Sequence, residues 1–346
     1  MIRRALGLTV MLAAAAAAVL PVPAWWIERW YSEGLYSRLQ QSVTAFSNAI
    51  GWSLFDLVCF VGGAVALTTV VGSVQRAGWI RGSLRAIWRI AILASIGYLA
   101  FLAMWGLNYR RVPLADKLAF DRSRVTAAAT ADLAMRAAGE LNRLHDAAHR
   151  VPFDEHDLVT PFHDAQRALG SHWAIVSGIP KRTLLGLYFS RAAIAGMTDP
   201  FLLEVMLAPD LLDVERPFVL SHEWGHLAGY ADESEANFIA WLTCARGNDR
   251  AQYSGWLALF SHSAGALPDL ERRAAFRALE TGPRQDLAAI AARYQATSRI
   301  VRVAARETYD RYLKANRVTE GIESYDAVLQ LILGTSFDAN WTPRLR

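Results

Sequence analysis

Three long, almost uncharged runs within the first 110 residues constrain this chain more than any other feature, because about 20 consecutive apolar residues are what a helix needs to cross a bilayer. Ala5 to Ile27 carries no charge and follows Arg3 and Arg4; Trp52 to Val74 is broken only by Asp56 near its start; Ile90 to Tyr109 follows Arg89. The runs predict spans over about 5–27, 52–74 and 90–109, and a hydrophobic share of 53% suits a chain with a membrane part. For the first run a cleaved signal peptide is the alternative, since the alanine run and the small residues near Pro21 to Ala24 suit a cleavage site. The cluster Trp25, Trp26, Trp30 and Tyr31 reads instead as an interfacial belt after a retained helix.

Charge sets the orientation. The stretch "QRAGWIRGSLRAIWR" between the second and third runs reads as a loop whose Arg76, Arg81, Arg85 and Arg89 have no acidic neighbours, which marks it as cytoplasmic. Residues 24–51 and everything after the third run are then expected outside, whether or not the first run is removed. Arg110 and Arg111 run against the rule. Asp56, four residues after Trp52, reads as reaching headgroups or pairing with a basic residue near the outer end of its span. The formal charge of +4 is small and the arginines sit beside apolar runs, so nucleic acid is not expected as a partner; the lipid bilayer is.

Beyond residue 110 the pattern is that of a helix-rich body over 111–346. Thr126 to Arg150 has helical periodicity, and His145 and His149 share one face there, but Arg143 and Arg150 flank them and a solvated face is expected. "WAIVSGIP" and "RTLLGLYFS" between 172 and 200 read as strands of a small sheet, and Arg284 to Asn316 as one long helix. Cys59 and Cys244 form no metal knuckle and read as buried small hydrophobes.

The chemistry is concentrated in "SHEWGHLAGYADESEANF", residues 221–238. Pro217 can open a helix that carries His222 and His226 at i and i+4 on one face, a two-nitrogen site for Zn2+. Glu223, after the first histidine of an HExxH arrangement, faces the attacking water rather than the metal and is the candidate general base. A third ligand has to come from Asp232, Glu233 or Glu235. Gly229 can end the first helix, and Asp232 with Glu235 three places on has capping-box spacing for the next, which leaves Glu233 free as ligand and Asn237, one turn later, to orient a ligand beside it. Asp232 is the runner-up, six residues after His226. Tyr309, Tyr312 and Lys314 are candidates for stabilising an oxyanion.

Together with "WGLNYRRVPLADKL", "DPF" and "YDRYLKANRV", the stretch "RPFVLSHEWGHLAGYADESEANFIAWL" resembles an uncharacterised family of bacterial membrane proteins with a gluzincin-like HExxH. The resemblance spans most of the chain. It implies a zincin-like metallopeptidase domain in which Glu233 and Asn237 match the glutamate and the residue four later of the second gluzincin motif, with Asn in place of Asp. The expectation is therefore a mainly α chain: a three-helix anchor in residues 1–110 at the bacterial inner membrane and an extracytoplasmic zinc peptidase acting on an unidentified peptide or protein. The alternative is a zinc-binding sensor or scaffold that cleaves nothing.

Overall fold

Proline decides the first departure from that expectation. The structure, a computed structural model, describes residues 2–318, 328–339 and 341–346. Helix α1 (Ile2–Val19) stops before Pro21 and Pro23, which lack an N–H to donate and push the residues before them out of the helical region. The chain then turns by 109° into α2 (Ala24–Asn48), wound in wide π turns over Ile27–Leu35. The first apolar run is thus not one helix to Ile27. Helices α3 (Leu54–Ala77) and α4 (Trp79–Met104) are, among the described residues, the two helices long and apolar enough to cross a membrane; the bent pair α1–α2 makes a third if it counts as one span.

A single break at Gly78 joins α3 to α4, so the arginine-bearing stretch is not a loop: Arg76 lies in the last turn of α3, and Arg81, Arg85 and Arg89 extend α4 towards its N-terminus. Arg89 donates back to Ser73 Oγ of α3 at 3.3 Å, which ties the two helices together near their junction. The other ends of the hairpin attach to the helical body. Asp56 accepts from Thr183 Oγ1 at 2.6 Å and from Leu184 N at 2.9 Å, partners in the helical body rather than a basic residue. Arg111 forms a two-pronged bond with Glu28 (2.9 and 2.6 Å), and Arg110 donates to the carbonyl of Ala17 at 2.8 Å, so the two arginines that break the positive-inside pattern serve the fold. Cys244 is buried as expected, whereas Cys59 is exposed on α3.

The body is mainly helical. Helix α5 (Ala127–Arg150) buries Leu133, Ala134, Ala137, Leu141, Leu144 and Ala148 on the expected stripe. It is followed by α6 (Val159–Ala168), α7 (Gly186–Ala192), α8 (Arg216–Leu227), α9 (Glu233–Arg246), α10 (Asp249–Gly265), α11 (Asp269–Ala278), α12 (Thr281–Gln295), α13 (Arg299–Ala315) and α14 (Val328–Gly334). Helix α9 is buried from Glu233 through Cys244 and lies at the centre of the core. The expected long helix from Arg284 to Asn316 is two: Ser298 caps α13 through Val301 N, and its own N–H is bonded to Arg191 O.

A small mixed sheet orders β1 (Pro180–Lys181), β3 (Val205–Leu207) and β2 (Gly196–Thr198), with β1 parallel and β2 antiparallel to the central β3. "RTLLGLYFS" is largely α7 rather than a strand. In "WAIVSGIP" the extended backbone pairs with side chains instead of a strand: Gln40 bonds both the N–H and the carbonyl of Val176 (3.1 and 2.8 Å), and Asn48 bonds Ser177 O and Ile179 N (2.8 and 3.0 Å). Both amides belong to α2, so the segment after the first apolar run is built into the body.

Candidate metal centre

Helix α8 begins with Pro217 in its first turn and ends at Leu227, after which Gly229 adopts φ 82°, a left-handed turn that costs a residue without a Cβ little. The carbonyls left over at that end are bonded by residues from the N-terminal apolar segments: His226 O by Trp105 Nε1 (2.8 Å), Leu227 O by Tyr36 Oη (2.9 Å) and Gly229 O by Arg111 Nη1 (3.0 Å). The motif helix is therefore fastened to the N-terminal helices through its own C-terminus, where nothing in the motif itself points.

Asp232 opens α9 by accepting from Ser234 N at 2.8 Å. The expected reciprocal half of the capping box is not made: Glu235 turns away and accepts from Leu114 N at 2.5 Å. With Asp232 and Glu235 so engaged, Glu233 is the acid that meets the histidines. Its Oε2 lies 3.2 Å from His222 Nε2 and 3.6 Å from His226 Nε2, and it is buried to 1% exposure. Ligand atoms on a four-coordinate zinc with bonds of about 2.0–2.1 Å stand about 3.3 Å apart, so the two spacings bracket what a tetrahedral ion requires.

The outward ring nitrogens fix the tautomers. Neutral His226 donates from Nδ1 to Tyr230 O at 2.8 Å, and neutral His222 from Nδ1 to Asn237 Oδ1, also at 2.8 Å. Each ring then presents a lone pair at Nε2 towards a carboxylate oxygen, and Glu233 Oε2 is a buried atom without a hydrogen-bond partner. Two lone pairs and an orphaned anionic oxygen facing each other repel unless a cation or protons lie between them. Without a metal the group compensates by protonation: burial opposes charge on His226, but the Glu233 carboxylate outweighs it and raises that histidine to about 9. Burial likewise works against Glu233, and His226 with His222 more than reverse it and hold the carboxyl below the usual range. This donor set fits a borderline divalent cation.

Glu223 sits apart from the three converging atoms. Thr198 of β2 donates to its Oε2 at 2.8 Å, and burial raises its carboxyl above the ordinary value. Strand β2 is an edge strand whose backbone presses on this carboxylate: a Cβ on Gly196 would lie 2.6 Å from Glu223 Oε1. Of the three candidates for the oxyanion, Tyr309 donates to Glu233 Oε1, Tyr312 stacks beside it with ring centroids 5.7 Å apart, and Lys314 is paired with Asp310 at 2.8 Å outside the centre. Thr198, Trp105, Tyr36 and Arg111 had no periodic or spacing signal; "DPF", which follows Thr198, and "WGLNYRRVPLADKL", which holds Trp105 and Arg111, marked only their segments.

The turn after β2 offers a test of local electrostatics. Asp199 accepts from Phe201 N and Leu202 N, each at 2.9 Å, and burial pushes it up to about 6 despite those bonds. Its folded pKa exceeds its unfolded value of 3.8, so the folded state keeps a proton that the unfolded chain has lost, and this contribution falls as pH rises from about 4 to 6. Asp199→Asn is expected to remove on the order of 1–3 kcal/mol of that slope. Thermal melts of both proteins across the window check it; parallel curves contradict it.

The chain belongs to the family described as "Protein of unknown function (DUF3810)", whose model matches residues 31–333. No curated protein and no solved structure matches it.

Proposed function

Starting from that family membership, we propose that the chain is a membrane-anchored zinc metallopeptidase, its body on the extracytoplasmic side of the bacterial inner membrane, with zinc on His222, His226 and Glu233 and with Glu223 as general base. The observation that carries the reading is the convergence of two histidine Nε2 atoms, each ring held at Nδ1 by a carbonyl oxygen, on the buried Glu233 Oε2, with a separate buried carboxylate, Glu223, on the same helix. When bound, zinc lowers the pKa of a water molecule towards neutrality and polarises the scissile carbonyl. Glu223, steadied by Thr198, takes a proton from the attacking water and delivers it to the leaving amine. Tyr309 supplies a hydroxyl that can turn from Glu233 to the developing oxyanion. The free edge of β2, beside Glu223, suits an extended peptide.

The rival reading, a zinc-binding sensor or scaffold without turnover, calls for a fourth protein ligand. Asp232, its best candidate, is bonded to Ser234 instead. The deciding experiment is zinc content per chain of the detergent-purified protein, followed by a peptide-library digest with Glu223→Gln as control. Zinc with cleavage that the control lacks is the expected result. A folded wild type without zinc overturns the metal centre, and stoichiometric zinc with no cleavage leaves the sensor.

A further inference from the structure

A second cluster of metal-binding side chains lies away from the HExxH helix, and its histidines were expected to be merely solvated. Helix α12 delivers Asp286 to the exposed-looking pair on α5, so that the ligand atoms of His145, His149 and Asp286 all come within 4.8 Å of one another. His149 Nε2 stands 2.9 Å and His145 Nε2 3.7 Å from the same oxygen, Asp286 Oδ2, again bracketing the roughly 3.3 Å separation of ligands on a tetrahedral zinc. The imidazole rings are 4.4 Å apart between centroids. Their side chains are 23% and 38% exposed, which leaves room for water to complete a coordination shell.

His149 Nε2 is within hydrogen-bond reach of Asp286 Oδ2, whereas His145 Nε2 is not. His145 Nδ1 lies 3.0 Å from Asp146 Oδ1, the carboxylate–histidine arrangement that orients metal-ligating imidazoles. A neutral His145 that donates there has only a lone pair at Nε2, directed at an anionic oxygen beyond hydrogen-bond reach. On the far side, Tyr253 Oη donates to Asp286 Oδ2 at 2.5 Å and holds the carboxylate in place. Arg143, which counted against a cation at the sequence level, is neutralised by Glu140 at 2.7 Å.

We propose that His145, His149 and Asp286 form a second divalent-metal site, for zinc or another late first-row ion, that pins α12 to α5. The donors are two imidazole nitrogens and one carboxylate oxygen, a set suited to such ions rather than to magnesium or calcium. The site's position gives it a consequence. In helix α12 only Pro283 is fully buried, with Leu287 and Ile290 half-buried against the core and Arg293 paired with Glu215, and its continuation α13 carries Tyr309 to Glu233. A metal at Asp286 therefore steadies the helix pair that reaches the first centre, without itself touching that centre.

The test uses the full chain in detergent and counts Zn2+ by elemental analysis after gel filtration. Wild type is expected to hold two ions per chain, Glu233→Ala one, and His149→Ala with Asp286→Asn one, with limited proteolysis at the Thr297–Ser298 link increasing in the latter. Co2+ loaded into the Glu233→Ala background is expected to give visible ligand-field absorption that disappears when His149 is also replaced. One ion in wild type, lost with Glu233→Ala and unchanged in the α5–α12 variant, overturns the second site while leaving the first intact. A second ion that washes out on gel filtration also overturns it, since the cluster is then held by hydrogen bonds around Asp286 alone. Because the two variants report separately, failure here and failure of the proposed peptidase centre are distinguishable.

Discussion

Glu223→Gln is expected to lower turnover of a cleaved peptide by about 10²–10⁴-fold while leaving bound zinc unchanged. Glutamine keeps the volume of the side chain and an oxygen that can accept from Thr198, so the packing against Gly196 and the edge strand survives. What it loses is the ability to take a proton. The carboxylate is not among the three converging metal donors, which is why zinc stoichiometry should not follow activity. Single-turnover rates and zinc content measured on one preparation check both halves, and retained turnover would remove Glu223 from the mechanism.

Glu233→Ala is expected to empty the first centre. Loss of an outer partner of a ligand costs about 10–100-fold in metal affinity, and loss of a ligand costs more, so Asn237→Ala, which unbinds only the Nδ1 side of His222, should fall between wild type and Glu233→Ala. Competition with a chromogenic chelator gives the order. The variant also removes the one carboxylate that faces both Nε2 atoms and holds His226 protonated in the metal-free state. Metal-free Glu233→Ala should therefore carry a neutral His226 at pH 8, where the metal-free wild type is largely charged; imidazole NMR resonances report the difference. If Asp232→Ala loses the metal and Glu233→Ala keeps it, the ligand assignment is wrong.

Local rules made much of the centre legible. A proline that starts a helix, histidines four apart, a left-handed glycine and an N-capping aspartate are each set by backbone geometry within a few residues, and together they left Glu233 as the acid facing the histidines. Where the same rules failed, a distant part of the chain had supplied a competing partner. The capping box at Asp232 stays half-made because Leu114 N–H takes Glu235, and "WAIVSGIP" forms little sheet because Gln40 and Asn48 satisfy its backbone. His149 is exposed as expected, but its pairing with Asp286 was not legible for the same reason, since Asp286 is 137 residues further on.

The sequence by itself determined which segments are apolar enough to lie in a bilayer and which short motif carries the chemistry, because both depend on composition and on spacing along one helix. Only the tertiary structure decided that Trp105, Tyr36 and Arg111 fasten the motif helix at its C-terminal carbonyls, that Thr198 and Gly196 frame Glu223, and that Tyr309 reaches Glu233. Those contacts join residues 25 to 191 positions apart, and no periodicity encodes them. They arise because buried carbonyls and carboxylates must find donors, and which donors arrive depends on how the whole chain packs.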